Sequence, residues 1–432
     1  MSTKPTCAAA PVSEPVQRLV LDPEAVGISR PPWLAVPESR VTALRALLRS
    51  LELAHCTGAS SLTSPTSSED KISLSPRASG ADSSVSASSL PSAASSSSSC
   101  SSCSSASTLP SRGRSDAAIA SPALLADPLE RRIWLQTLAL LVPLASRLAD
   151  PPLSEFHVGV VGLGASGRVY LGANLELPPA PLHTAVHAEQ CLLATMHRHG
   201  ETRLLVLAST VPPCGHCRQF IRESHHGREV LIALGADCSQ YPVELTTCRL
   251  TDMLTSSFGP ESLLVPEAEH LLCKQPSHAE LVLGGDAAST LQSSLAHCQV
   301  NADAFAGFVR RALESGLYAV RGSYAPHSRS PSAVLAFYRK LDKAGDLNSD
   351  KTGDLKLAVG SYLENAAYNP SLPPLQYALT QVMLESGCAA STLRLVVLFE
   401  ITDARISYAA ETKAILGQIA PDCVFERVSV LR

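Results

Sequence analysis

Two short clusters in this chain could do chemistry together: His187-Ala188-Glu189, and Pro213-Cys214-Gly215-His216-Cys217. One imidazole and two thiolates around a common point make a three-ligand zinc site. Such a set leaves the fourth tetrahedral position open, the arrangement of catalytic rather than structural zinc. Two thiolates balance the charge of the dication, so a water in the open position is not forced fully to hydroxide. Glu189, two residues after the histidine, is placed to move that proton. A structural site needs a fourth ligand, for which His183 and His216 are the candidates. A redox reading of the cysteine pair is weaker, because Pro213 precedes it and no thioredoxin-like context surrounds it.

Both clusters fall at expected helix starts, where the positive end of the helix favours thiolates. The stretch FHVGVVGLGASGRVYLGAN (156–174) alternates, is rich in β-branched residues and contains a Gly-Ala-Ser-Gly turn, which predicts a β-hairpin. A helix over His187–His199, a buried strand over Arg203–Thr210 and a helix from Pro213 to Glu223 follow. This ββαβα order predicts an α/β fold, a sheet sandwiched by helices. Upstream, Val41, Leu44, Leu47, Leu48 and Leu51 share one helical face, and 128–148 is again helical with Pro143 at an expected kink. Residues 16–56 and 122–150 read as one small helical domain split by a Ser-rich insertion, 57–121. Ser83–Ser107 holds 16 serines in 25 residues. It has too little apolar content to offset its ordering entropy, so it is expected to be disordered, as are residues 1–15. Cys100-x-x-Cys103 lies inside it and lacks the rigid placement a metal site needs.

The chain also echoes itself. Gly172-Ala-Asn-Leu-Glu176 returns as Gly360-Ser-Tyr-Leu-Glu364, Pro152-Leu-Ser-Glu155 as Pro326-His-Ser-Arg329, and strand 203–210 as 393–402. Two copies of one fold follow, 151–260 and 301–432, joined by a linker, 261–300. Aligned on these echoes, Leu375 falls opposite His187, Tyr377 opposite Glu189, Arg405 and Tyr408 opposite the cysteines, and Ser330 opposite Phe156. The second copy therefore lacks ligands and base, and is expected to be non-catalytic. Glu364, kept opposite Glu176, reads as a relic or a structural acceptor.

The net charge of −4, and the presence of only 8 Phe, 2 Trp and 9 Tyr in 432 residues, oppose a basic or base-stacking nucleic-acid binder. No apolar run reaches 18 residues, so no transmembrane helix is expected. The start of the chain does not read as a secretory signal, so a cytoplasmic location is expected. The 13 cysteines are odd in number and irregularly spaced, which favours thiols and metal ligands over disulfides. Cys191, Cys238, Cys248, Cys273, Cys298, Cys388 and Cys423 read as small core residues. His197, His199, His225 and His226 read as solvated.

H-x-E followed by P-C-x-x-C is the signature of zinc-dependent base deaminases. VHAEQ (186–190) and PCGHCRQF (213–220) resemble the cytidine deaminases of nucleoside salvage. Further motifs narrow the resemblance: FHVG (156–159), GANLE (172–176), SSFGP (256–260), YAPHSRSPS (324–332) and GSYLENAAYNPSLPPLQ (360–376). Together they look like the homodimeric bacterial type, with a catalytic and a degenerate deaminase domain in each subunit. The resemblance covers 122–432, and the Ser-rich insertion has no place in it. It implies a three-layer α/β/α deaminase fold, duplicated, with a small N-terminal helical domain. It also implies one zinc ion per subunit on His187, Cys214 and Cys217, with Glu189 as proton shuttle. Phe156 is implied to pack on the pyrimidine, and Asn174 and Glu176 to bind the ribose 3′-hydroxyl. The backbone of Ala188 and Cys214 is implied to approach the base and the water, and Phe258 and Ala325 to reach the partner subunit's site. On residue type alone, Asn174 equally suits a turn and Phe156 a core.

The expected function is hydrolytic deamination of cytidine and deoxycytidine to uridine and deoxyuridine. A polynucleotide-editing deaminase shares the zinc motif, but low positive charge, few aromatics and the ribose-binding residues oppose it. A deoxycytidylate deaminase needs an Arg/Lys phosphate cluster that is absent near the motifs. A zinc-stabilised scaffold has no use for Glu189.

Overall fold

The computed structural model of the protein describes residues 19–20, 38–57, 123–263, 270–273, 280–296, 298, 302–339, 355–386 and 390–432. Residues 1–15, the Ser-rich stretch and Cys100-x-x-Cys103 lie outside them. Met1–Leu53 and Ser121–Arg432 form one compact unit, and Ala54–Ala120 another. Apart from the last turn of the first helix, every element below belongs to the first unit. No helix among the described residues is long and apolar enough to cross a membrane.

The expected hairpin is present as β1 (Gly159–Gly164) and β2 (Val169–Ala173), turning at Gly167 with φ +84°. Every residue of both strands is buried. The reason is visible at two glycines: an added Cβ at Gly159 would strike Ala145 and Ser146, and one at Gly162 would strike Leu192. Residues an odd number apart face opposite sides of a sheet. One helix therefore covers each face: α2 (Pro128–Ser146) and α3 (Ala188–Arg198). The sheet runs β2-β1-β3-β4-β5, with β3 at Leu204–Ser209, β4 at Leu231–Leu234 and β5 at Thr246–Arg249. β3 and β4 are parallel; the other pairs are antiparallel. Between β3 and β4 lies α4 (Gly215–Arg222).

α2 starts where Asp127 accepts the Glu130 N–H at 2.8 Å, with Pro128 in the first turn, and it runs unbroken through Pro143. Its buried Ile133, Leu138, Val142 and Ala145 join the same core as β1–β4. α1 (Glu38–Thr57) adds Val41 and Leu48 to that core, and its Arg45 lies 3.9 Å over the Trp134 ring. The helix pair thus has no core of its own, as a separate helical domain requires.

The second half repeats the architecture. Its sheet runs β8-β7-β9-β10-β6: β7 is Ser332–Arg339, β8 Leu355–Ser361, β9 Leu393–Ile401, β10 Val424–Leu431 and β6 Val282–Leu283. α6 (Ala302–Arg321) precedes β7 as α2 precedes β1, and α7 (Pro374–Ser386) and α8 (Ala409–Ile419) take the places of α3 and α4. α6 begins 174 positions after α2 (302 less 128), the spacing that also separates Asp150 and Tyr324, which bridge Leu175 and Leu363 in the same way. The repeated unit therefore starts with its helix. Part of the expected linker is also structural: β6 pairs with β10, and α5 (Ala287–Ala296) buries Leu291 and Leu295 against this half.

The register between copies differs from the ungapped alignment. A Cβ at Gly172 would lie 2.2 Å from the Ala188 carbonyl oxygen, and one at Gly360 2.2 Å from that of Pro374. Leu175 bridges Val186, while Leu363 bridges Leu372. Ala188 thus matches Pro374. Pro373, not Leu375, stands opposite His187, and Leu375, not Tyr377, opposite Glu189; the intervening loop has lost two residues. Tyr408 caps α8 as Cys214 caps α4, which puts Tyr408 and Glu411 opposite the cysteines. Ser330 does match Phe156, each four residues before the strand position that pairs with Gly360 or Gly172.

Candidate zinc centre and active site

The chain crosses from β2 through α3 to β3 and then α4, which brings the starts of two helices together. His187 is the cap residue of α3 and Cys214 that of α4, with Cys217 in the first turn. Arg218 holds the turn before α4, donating from Nε to the Pro213 carbonyl at 2.7 Å and from Nη1 to that of Met253 at 3.0 Å. Gln190 holds the other turn: its Oε1 accepts the His187 backbone N–H at 3.2 Å. A Gln three residues after a cap is a capping signal in sequence, although the cap here is a histidine.

His187 Nδ1 lies 3.5 Å from the Cys214 sulfur and 3.3 Å from that of Cys217, and the two sulfurs are 3.5 Å apart. Zn–S bonds of about 2.3 Å and Zn–N bonds of about 2.0 Å at tetrahedral angles require edges of about 3.5 Å (S to N) and about 3.8 Å (S to S). The donor set therefore fits zinc with little movement. Among the described residues it is the one His/Cys/Asp/Glu group close enough to hold a metal.

The electrostatics agree. A hydrogen bond from the Cys217 thiol lowers the Cys214 pKa to about 4, against the effect of burial, and His187 helps. That shared proton and burial push Cys217 up. Glu189 is buried; loss of water pushes its carboxyl above the usual range, although it faces the Cys217 thiol and His187. His216 stacks on His187, ring centroids 5.1 Å apart and 27° between planes, and burial lowers its pKa. It is no fourth member of the donor group.

Ala188 is buried directly after the histidine. Asn174 and Glu176 lie at the end of β2 and shape the loop 153–158. Asn174 accepts the Val158 N–H at 2.9 Å and donates to the Phe156 carbonyl at 3.0 Å. One Glu176 oxygen accepts the backbone N–H groups of Leu153 and Ser154 at 2.8 and 2.9 Å. Burial raises the Glu176 pKa, but these hydrogen bonds outweigh it and leave the carboxyl below its ordinary value. Glu364 does the same in the second copy, accepting from His327 and Ser328, which makes it a structural acceptor. The Phe156 ring is 59% exposed, so it is no core residue. Phe258 is partly exposed, and its carbonyl accepts from Gln219 at 3.1 Å; Ala325 is buried within the second half.

Cys191, Cys238 and Cys298 are buried as expected, Cys248, Cys273 and Cys423 are only half-buried, and Cys388 lies outside the described residues. The four histidines are half-buried rather than fully solvated: His197 reaches the Gly322 carbonyl at 2.8 Å, His199 that of Thr195 at 2.8 Å, and His226 reaches Glu229 at 3.1 Å. Thr195 and Glu229 lie within four residues of their histidines, whereas helix packing brings Gly322 to His197 from 125 positions away.

Residues 132–233 match a family model described as the cytidine and deoxycytidylate deaminase zinc-binding region, and 347–413 match a second model of the same description. Cytidine deaminase 1 of Arabidopsis thaliana is 36% identical over 299 residues, which span 68% of this chain and 90% of that protein. A cytidine deaminase of Sodalis glossinidius (strain morsitans) is 36% identical over 279 residues, 65% of this chain and 78% of that one. A crystal structure of cytidine deaminase from Mycobacterium tuberculosis aligns with 35% identity over 29% of this chain and 95% of its own, with a TM-score of 0.24. With the two motifs converging on one zinc-fitting cluster beside a buried glutamate, the family models and the Arabidopsis and Sodalis relatives show that the chain belongs to the cytidine deaminase family.

Proposed function

We propose that the protein hydrolyses cytidine and deoxycytidine to uridine and deoxyuridine, releasing ammonia, as a step of pyrimidine salvage. The observation that carries this reading is the buried Glu189 beside three donors with zinc spacing and an open fourth position. A zinc ion held by His187, Cys214 and Cys217 supplies the Lewis acid that brings the pKa of a water towards neutrality. Glu189 moves the protons. It takes one from the attacking water and delivers it to the pyrimidine ring nitrogen as the oxygen adds at C4. It carries a second to the exocyclic amine as ammonia leaves. A carboxyl pushed up by burial suits alternate acid and base roles near neutral pH.

Phe156 stacks on the base, its exposed ring held by the Asn174 bond to its own carbonyl. Asn174 and Glu176 bind the ribose 3′-hydroxyl. The backbone of Ala188 and Cys214 meets the base and the water. The second copy is non-catalytic, since Pro373, Leu375, Tyr408 and Glu411 stand where ligands and base are required. The protein acts as a homodimer, Phe258 and Ala325 reaching the partner's site; the exposed Phe258 side chain supports such a contact. It works in the reducing cytoplasm, where thiolate ligands and free cysteines persist.

The test is the fall in ultraviolet absorbance when zinc-loaded protein meets free cytidine, with a cytidine-containing oligonucleotide assayed in parallel by product analysis. Conversion of the nucleoside alone is expected. Conversion of the oligonucleotide alone would replace this reading with polynucleotide editing.

A further inference from the structure

One short segment of the second half touches both helices that carry the zinc donors. Gln190, three residues after His187, donates from Nε2 to the Pro370 carbonyl at 3.0 Å while its Oε1 holds the His187 N–H. Asn365 donates from Nδ2 to the Gln219 carbonyl at 3.2 Å, two residues after Cys217. The Ala366 N–H donates to Glu223, the residue that ends α4, at 3.2 Å. Glu223 also accepts the Tyr324 hydroxyl at 2.9 Å and meets His327 Nε2 at 3.3 Å. Gln190, Asn365, Ala366 and Glu223 are all buried, so water cannot replace a lost partner.

The link is one-sided. Gln376 is the counterpart of Gln190, two residues after Pro374. It donates to Glu411 in its own half at 3.3 Å, and its Oε1 has no partner among the described residues. Simple pseudo-symmetric packing would send it across to the first half. Asn365 further orders the segment by accepting the Ala367 N–H at 3.0 Å.

The geometry points to the loop Asn365–Pro370 of the non-catalytic copy as a positioning element for the zinc donors, acting on His187 through Gln190 and on the cysteine helix through Gln219 and Glu223. Zinc bonds tolerate displacements of only about 0.2 Å, and partners behind a ligand are worth about 10- to 100-fold in metal affinity or activity. The second copy thereby keeps a function after losing its own site. The inference rests on the proposed zinc site and deamination, but its main readout does not need turnover.

The test uses the full chain with Gln190→Met and, separately, Asn365→Ala. Neither residue touches substrate or metal. Zinc affinity is measured by chelator competition, and donor geometry from the visible d–d spectrum of the cobalt(II)-substituted protein. Each variant is expected to lose about tenfold or more in zinc affinity, with an altered cobalt spectrum and an unchanged far-ultraviolet circular dichroism spectrum. kcat is expected to fall with KM within about twofold, because the substrate contacts lie elsewhere. Wild-type affinity and spectrum in both variants would overturn the inference. So would a change confined to Gln190→Met, since that places the effect in the local cap. If Asn365→Ala does not fold, Asn365→Ser keeps an acceptor for Ala367 without an amide reaching Gln219. A wild-type protein inert on cytidine would defeat the deaminase reading while these metal readouts still decide the positioning role.

Discussion

Glu189 is a carboxylate with no salt-bridge partner among the described residues, buried in the first turn of α3 and facing a thiol. A structural metal site gains nothing from such a group, which costs desolvation to keep. Glu189→Gln keeps size and hydrogen-bonding reach but cannot carry a proton. Zinc content per chain should stay at the wild-type level, and kcat should drop by about 10²- to 10⁴-fold; metal analysis beside steady-state kinetics checks both. Turnover surviving in that variant would remove Glu189 as the shuttle. His187, Glu189, Cys214 and Cys217 were legible before any fold was known, because ligand chemistry depends on residue type and short spacing. Gln190 was legible only in part. Its place inside the VHAEQ motif was visible, but its bond to the His187 N–H and its second partner, Pro370, 180 positions away, were not.

At the scale of elements, the distance between β2 and α3 sets where His187 sits. Gly172 permits that distance, since a Cβ there would lie 2.2 Å from the Ala188 carbonyl oxygen and 2.7 Å from the Leu192 nitrogen. Both contacts are backbone, so the helix must move. Gly172→Ala should destabilise the protein by about 1–3 kcal/mol, the usual cost of overpacking. It should also weaken zinc binding, because Ala188 follows the ligand directly. Gly167→Ala is the contrast: φ is +84° and the nearest atom is 3.9 Å away. That change should cost about 1 kcal/mol through backbone strain alone and leave zinc affinity untouched. Urea unfolding at constant m-value, with chelator competition, separates the two. The hairpin and the helix starts could be read from alternation, turn residues and caps. The burial of both strand faces could not, because it depends on α2 arriving from the other side.

At the scale of the molecule, His197 joins the two halves. It lies on α3 and reaches the Gly322 carbonyl beside Tyr377. Burial lowers its pKa to about 4, against the opposing pull of the Gly322 hydrogen bond. In the unfolded chain an imidazole titrates near about 6.5. Above that pH neither state carries the proton. Below it the unfolded chain takes one up and the folded protein does not, so stability falls as pH drops from about 6.5 towards about 4. Between pH 7 and 5 the loss from this group should be about 2 kcal/mol at about 1.4 kcal/mol per unit. His197→Gln keeps a donor for Gly322 and should remove that part. The difference between wild-type and variant urea midpoints at pH 7 and pH 5 measures it, with contributions from the zinc site common to both. Equal pH dependence in the two proteins would show that His197 is hydrated in the folded state.

The candidate metal donors, the glutamate beside them and the αβ order are properties of neighbouring residues, and the two copies show as short echoes; the chain carries all of these in plain view. Local chemistry and helical or strand periodicity act over a few residues, so no folding is needed to read them. The tertiary structure decided what depends on distant segments meeting. It drew α1 and α2 into the core of the first sheet, where the sequence suggested a separate domain. It shifted the register of the second copy by two residues at α7, visible in the matching close approaches of Gly172 and Gly360 and in the matching bridges of Leu175 and Leu363. It also laid the Asn365–Pro370 loop against both zinc-bearing helices. Those outcomes follow from which apolar faces bury together and which buried polar atoms then find partners. That is a balance struck over the whole fold, and no window of sequence contains it.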